Sequence, residues 1–134
     1  MVQQFYADLN KARQAEQIVR TTLSSLAPGY TFIDVGEDRQ YYHIGDIKVI
    51  DNETGEEYFI EVKDDGCIAK TRNVLCEEEV YYSDIDRCEP GNMYSNYQYY
   101  AVVSRQEKKI YIFDFDTLKN MYKRGEYKVI PHYD

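Results

Sequence analysis

The sequence predicts an α/β domain in which one long N-terminal helix is followed by three successive strands of a mixed β-sheet. Three observations predict it. Residues 4–26 hold good helix formers and neither Gly nor Pro. From Tyr30 onward, β-prone runs alternate with short turns of Gly, Asp and Asn. The chain has 134 residues, 43% hydrophobic and 30% charged, which suits a single domain spanning 1–134 with a real core.

The elements follow in order. Pro28-Gly29 ends the helix, residues 30–35 form a short strand, and residues 36–39 turn. Residues 41–50 and 57–63 read as two strands of a hairpin, joined by Asp51-Asn52-Glu53-Thr54-Gly55-Glu56, a run tolerant of unusual backbone angles. Asp64-Asp65-Gly66 closes the second strand. Val80-Tyr81-Tyr82 favours strand over helix for residues 74–82. Residues 84–93, with Pro90-Gly91, read as a loop leading toward a short helix near Tyr97. Residues 99–104 and 110–115 are strands about a charged turn, and Asp116 is the expected N-cap of a helix to Arg124.

With residues 52–55 as the turn, Asp51 faces Glu56, and counting back sets Asp46 directly opposite Glu61, so that the two carboxylates share one face of the hairpin. Side chains alternate along a strand, so Lys63 projects from the same face as Glu61. The apolar Ile44, Ile50 and Phe59 nearby suggest that this face is covered. On the helix, Ala12, Glu16, Val19, Leu23 and Leu26 stand 4, 3, 4 and 3 apart and form one stripe. Glu16 is its only charged member, and a carboxylate on a core-facing stripe needs a cation or a strong hydrogen-bond partner.

These residue types suit one chemistry. Mg²⁺ prefers oxygen ligands and is commonly held by one or two carboxylates with waters and a phosphate. Asp46 and Glu61 supply such ligands. A bound metal lowers the pKa of its water, and a neighbouring lysine orients that water or neutralises charge developing on phosphorus. Lys63 suits either task.

Gly45-Asp46, a hairpin, and then Glu61-Val62-Lys63 resemble the D-Xn-ExK signature of the PD-(D/E)XK nuclease superfamily, which includes restriction endonucleases and Holliday-junction resolvases. The resemblance implies a restriction-endonuclease-like fold, a mixed β-sheet flanked by helices and starting α-β-β-β. It implies a Mg²⁺- or Mn²⁺-dependent nuclease that hydrolyses phosphodiester bonds, in DNA rather than RNA. It further implies that Asp46 and Glu61 bind metal, that the Val62 carbonyl completes the inner shell, that Lys63 serves catalysis and that Glu16 assists. The match spans the first half of the chain, with a plausible closing strand and helix. Glycine replaces the common proline before Asp46.

Each feature has a plainer reading beside this one. Asp46, Glu61 and Lys63 would otherwise be a solvated strand face with weak ion pairs, and Glu16 would pair with Arg20 four residues on. Lys70, Arg72 and Asn73 follow the site and are candidate phosphate contacts, or a solvated loop. His43 falls out of phase with Asp46 and reads as structural. Lys108, Lys109, Lys119, Lys123, Arg124 and Lys128 form either a local positive face or ordinary solubilising surface.

The net charge of −8 argues against generic electrostatic binding of nucleic acid. Carboxylates that hold metal contribute to that count, and 15 tyrosines offer stacking surfaces for bases. The alternatives are a catalytically silent nuclease fold acting as a binding or assembly module, or a protein-interaction domain without a metal site. Cys67, Cys76 and Cys88 form no CxxC pair, so reduced thiols are expected and no zinc site. Residues 1–8 carry no basic start before an apolar run, and no stretch is apolar enough to cross a bilayer. The expectation is a soluble cytoplasmic protein. So small a chain has little surface for reading sequence, so it is expected to recognise nucleic-acid structure or to work as a homodimer or with a protein partner.

Overall fold

A computed structural model of the chain describes residues 2–41, 44–64, 67–71, 79–82, 87–90 and 97–126. The chain opens with helix α1 (Val2–Leu26), strand β1 (Tyr30–Asp34), a 3₁₀ turn (Arg39–Tyr41), and strands β2 (Ile47–Asp51) and β3 (Glu57–Asp64). A short helix α2 (Cys67–Thr71) follows, then strands β4 (Glu79–Tyr82), β5 (Arg87–Pro90), β6 (Tyr99–Ser104) and β7 (Lys109–Asp114), and helix α3 (Phe115–Lys123). The order is α-β-β-β, as the sequence predicts.

Five strands form one sheet in the order β1-β2-β3-β6-β7, and β4 and β5 pair separately. β3 and β6 run parallel while the other neighbours are antiparallel, so the sheet is mixed. The parallel pair requires a long crossover, which α2 and the β4–β5 hairpin occupy. The β2–β3 register sets Ile47 against Ile60 and Ile50 against Glu57. The turn holds that register by local chemistry. Asp51 Oδ1 accepts from the Glu53 and Thr54 amides at 2.9 and 3.3 Å, and Gly55 takes φ 77°.

Alternation divides the core. Ala15 and Val19 of α1 bury Ile47, Val49, Ile60, Val62, Ala101 and Val103 on one face of the sheet. On the other face, Ile68 of α2 and Phe115 of α3 enclose Tyr97, Tyr100 and Val102. Helices therefore flank both faces, which is why β6 alternates between two apolar environments. Arg105, in the β6–β7 turn, ties the layers together. It bonds Asp64 Oδ2 at 3.0 Å, Gln14 Oε1 at 3.1 Å and the Lys11 carbonyl at 3.2 Å.

Several expectations are corrected. The strand expected over 41–50 begins only at Ile47, because Arg39–Tyr41 is a 3₁₀ turn and Gly45 takes φ 154°. The expected loop at 84–93 contains strand β5, whose pairing with β4 no local signal announces. α2 had no helical signature long enough to read. The N-cap of α3 is Asp114, whose side chain accepts from the Asp116 amide at 3.0 Å, so the helix starts one residue before Asp116. The α1 stripe is rotated: Ala15 is buried, Ala12 is exposed and Leu26 is 74% exposed, because the helix overruns the sheet. His43, Asp65, Gly66, Arg72, Asn73 and residues 74–78 lie outside the described residues. Among the described residues no helix is long and apolar enough to cross a membrane.

Candidate functional site

Asp46 sits in a bend just before β2, held on both sides by backbone. Its amide donates to the Ile60 carbonyl at 2.9 Å, and its carbonyl accepts from the Val35 amide at 2.9 Å. Gly45 makes the bend possible. A Cβ there would lie 3.0 Å from the Phe59 Cβ, and φ 154° is closed to proline. Glycine at position 45 thus has a steric reason.

At this bend β2 separates from β3, and the Asp46 side chain takes the place of the next backbone acceptor. Its Oδ2 accepts from the Val62 amide at 2.9 Å. The carbonyl of a strand residue projects to the same side as its amide, so the Val62 oxygen also faces this gap. The Val62 side chain meanwhile is buried under α1.

Glu61, half-buried, lies on the opposite face of β3 from Ile60 and Val62, alongside Phe59 and Lys63. Glu16 approaches from α1. Asp46 stands between them and shares side-chain hydrogen bonds with both. It does not share one strand face with Glu61 as the register count predicts, because the bend turns its carboxylate onto the Val62 amide. Gly36 leaves room for the Glu16 carboxylate, since a Cβ at that position would lie 3.0 Å from Oε2. Lys63 is half-buried and acts electrostatically on Glu61.

Burial, and then crowding of like charges, sets the electrostatics. Burial first, then the Asp46 and Asp34 carboxylates, push Glu16 up to about 8. Burial first, then Asp46, push Glu61 up to about 9, while the Lys63 ammonium acts the other way. Carboxyls hydrogen-bonded to one another share protons, so at neutral pH this cluster holds protons that a cation would displace.

The structure thus brings together Glu16, Asp46, Glu61, the Val62 backbone and Lys63. Lys70 is exposed in the last turn of α2. Among the described residues, no three Asp, Glu, His or Cys side chains are already arrayed as they would be around a metal ion. The donor set nevertheless suits a hard divalent cation, because all its members are oxygen and Mg²⁺ needs only one or two carboxylates.

Sequence reasoning missed Asp34 and Glu37, which add negative potential at Glu16. The signal was available, since antiparallel pairing of β1 and β2 sets Asp34 against Ile47, beside Asp46. Glu37 is partly neutralised by Arg13 at 2.5 Å. The Arg105 bridge, which fixes α1 against the end of β3, had no sequence signature.

Compared with known proteins, the chain matches no family model and no curated protein. Among solved structures it is similar in fold to a bacterial homing endonuclease, I-Ssp6803I. The TM-score is 0.55 at 19% identity, over 82% of this chain and 70% of that one.

Proposed function

We propose that this chain is a metal-dependent endonuclease of the PD-(D/E)XK kind, hydrolysing phosphodiester bonds in DNA with Mg²⁺ or Mn²⁺. The observation that carries the proposal is the convergence of Glu16, Asp46 and Glu61 on one gap in the sheet, with Lys63 beside Glu61. The likeness in fold to a homing endonuclease supports the same reading.

In this reading Asp46 and Glu61 hold the metal, with the Val62 carbonyl and Glu16 completing its surroundings. When bound, such a cation neutralises phosphate charge and supplies a water of lowered pKa. The chain's own residues do the rest. Asp46 is pre-positioned by its bond to the Val62 amide, so its second oxygen is aimed without further ordering. Lys63 favours the ionised form of Glu61 and brings a compact positive charge to the scissile phosphate. Lys70, Arg72 and Asn73 would contact the phosphate backbone beyond the site.

The net charge of −8 favours a second reading, a silent nuclease fold that serves as a binding or assembly module. One experiment separates them: supercoiled, linear, single-stranded and branched DNA incubated with Mg²⁺ or Mn²⁺, beside Lys63→Ala and Asp46→Asn. Metal-dependent cutting lost in both variants supports the nuclease. Calorimetric binding of Mn²⁺ without cutting supports the silent fold, and neither binding nor cutting sinks both.

A further inference from the structure

An apolar surface lies on the flank of α1 that the sheet leaves uncovered. A trough of about 560 Å³ opens between the C-terminal half of α1 and strands β6 and β7. Ile18, Thr22 and Leu26 form its helical wall, and Ile110 and Ile112 line it from β7. Ile18 is 38% exposed, Ile112 46% and Leu26 74%. Apolar side chains gathered along one trough mark an interaction surface, whereas single scattered ones do not.

Negative charge is missing there. Among the described residues lining the trough there is no Asp or Glu, in a chain of net charge −8. Residues 21–29 carry no charge at all. The centre of the trough, from Ile18 to Leu26 and Ile110 to Ile112, is lined by apolar side chains and one threonine, with the cations at its rim, the composition of a protein interface.

We propose that the trough receives α1 of a second copy of this chain, packed antiparallel about a two-fold axis at Thr22. Ile18, Thr22 and Leu26 stand four residues apart, on one ridge of the helix. That ridge is symmetric about Thr22. A two-fold axis there sets Ile18 of each copy against Leu26 of the partner subunit and leaves the small threonine at the crossing.

The ends of the helix supply charge complementarity. α1 has no basic residue in its last turn, so the negative end of its dipole lacks a cation of its own. Arg105, Lys108 and Lys109 rim one end of the trough. Arg105 bonds Gln14 and Lys11, which places this rim beyond Ile18 toward the N-terminus of α1. An antiparallel α1 points its C-terminus at that rim. The acidic exterior of the chain repels itself elsewhere, so this carboxylate-free patch is where two copies meet at least electrostatic cost. The proposal is independent of cleavage.

The test is the mass of the full chain in solution, measured by light scattering over a wide concentration range, for the unchanged chain, Leu26→Glu and Thr22→Cys. Leu26 is exposed, so Leu26→Glu keeps the fold, which circular dichroism checks. A dimer is expected, weakened about tenfold or more by Leu26→Glu. Thr22→Cys is expected to cross-link to a covalent dimer with added oxidant, faster than the unchanged chain with its own cysteines. A monomer at every concentration overturns the proposal, including one that instead captures an acidic amphipathic peptide. So does a dimer that Leu26→Glu leaves intact, or a Thr22→Cys chain that cross-links no faster.

Discussion

The Asp46 carboxylate accepts the Val62 amide hydrogen bond at 2.9 Å, standing where the next carbonyl of β2 would stand had the strand continued. Through this one bond Asp46 is fixed against the strand that carries Glu61 and Lys63. It also leaves Asp46 able to reach Glu16 on one side of the sheet and Glu61 on the other.

Because the bond needs only an acceptor oxygen, Asp46→Asn keeps it while removing the charge. The expected outcome is an unchanged fold, a melting temperature equal to or above that of the parent, and cleavage reduced by about 100-fold or more. Asp46→Ala loses the acceptor as well and melts lower. Equal melting of the two variants would contradict the role given to the bond.

The pH dependence follows from Glu16 and Glu61. Their folded values, about 8 and about 9, lie above the 4.5 expected of a free glutamate. The native chain therefore binds these protons more tightly than the unfolded chain does. Stability is fully present below about 4.5, falls as pH rises through the window to about 9, and levels off above it. In chelator, the melting temperature should drop between pH 5 and pH 9. Millimolar Mn²⁺ should restore it, and more so at the higher pH. Glu61→Gln should flatten the slope, and an identical slope in that variant would refute the assignment.

Gly36 tests how closely Glu16 is seated. A Cβ there meets Glu16 Oε2 at 3.0 Å, the far end of a flexible side chain, so Gly36→Ala is accommodated by moving the carboxylate. Stability should change by about 1 kcal/mol or less, while Mn²⁺ affinity measured by calorimetry falls. Unchanged affinity would show that Glu16 does not contribute to the ion.

Gly45 tests the bend. Its φ of 154° and the 3.0 Å approach to Phe59 leave no space for a side chain. Gly45→Ala should cost about 1–3 kcal/mol in chemical denaturation. Gly45→Pro, whose ring cannot take this φ, should be worse than Gly45→Ala and abolish cleavage. A fully active Gly45→Pro chain would mean that the bend is not required.

What the sequence determined by itself was set by short-range chemistry. Asp51 and Gly55 specify the turn through local hydrogen bonds and backbone angle, and the turn specifies the register of residues 47–50 on residues 57–60, which was countable in advance. The count fails at Asp46, where the bend puts its amide on the Ile60 carbonyl and its carboxylate on the Val62 amide. The long helix and the β-β-β order were legible for the same reason, as was the choice of Glu16 as the odd charge on α1. Only the tertiary structure decided the rest. The rotation of α1 that buries Ala15 and exposes Leu26 depends on how far the sheet extends beneath it. The capping role of Asp114 rather than Asp116 depends on where β7 ends. The parallel docking of β6 on β3, the Arg105 bridge to Asp64 and Gln14, and the placing of Gly36 under Glu16 join residues far apart in the chain. Such contacts form because apolar faces must be buried together, and no local pattern encodes which distant neighbour will meet them.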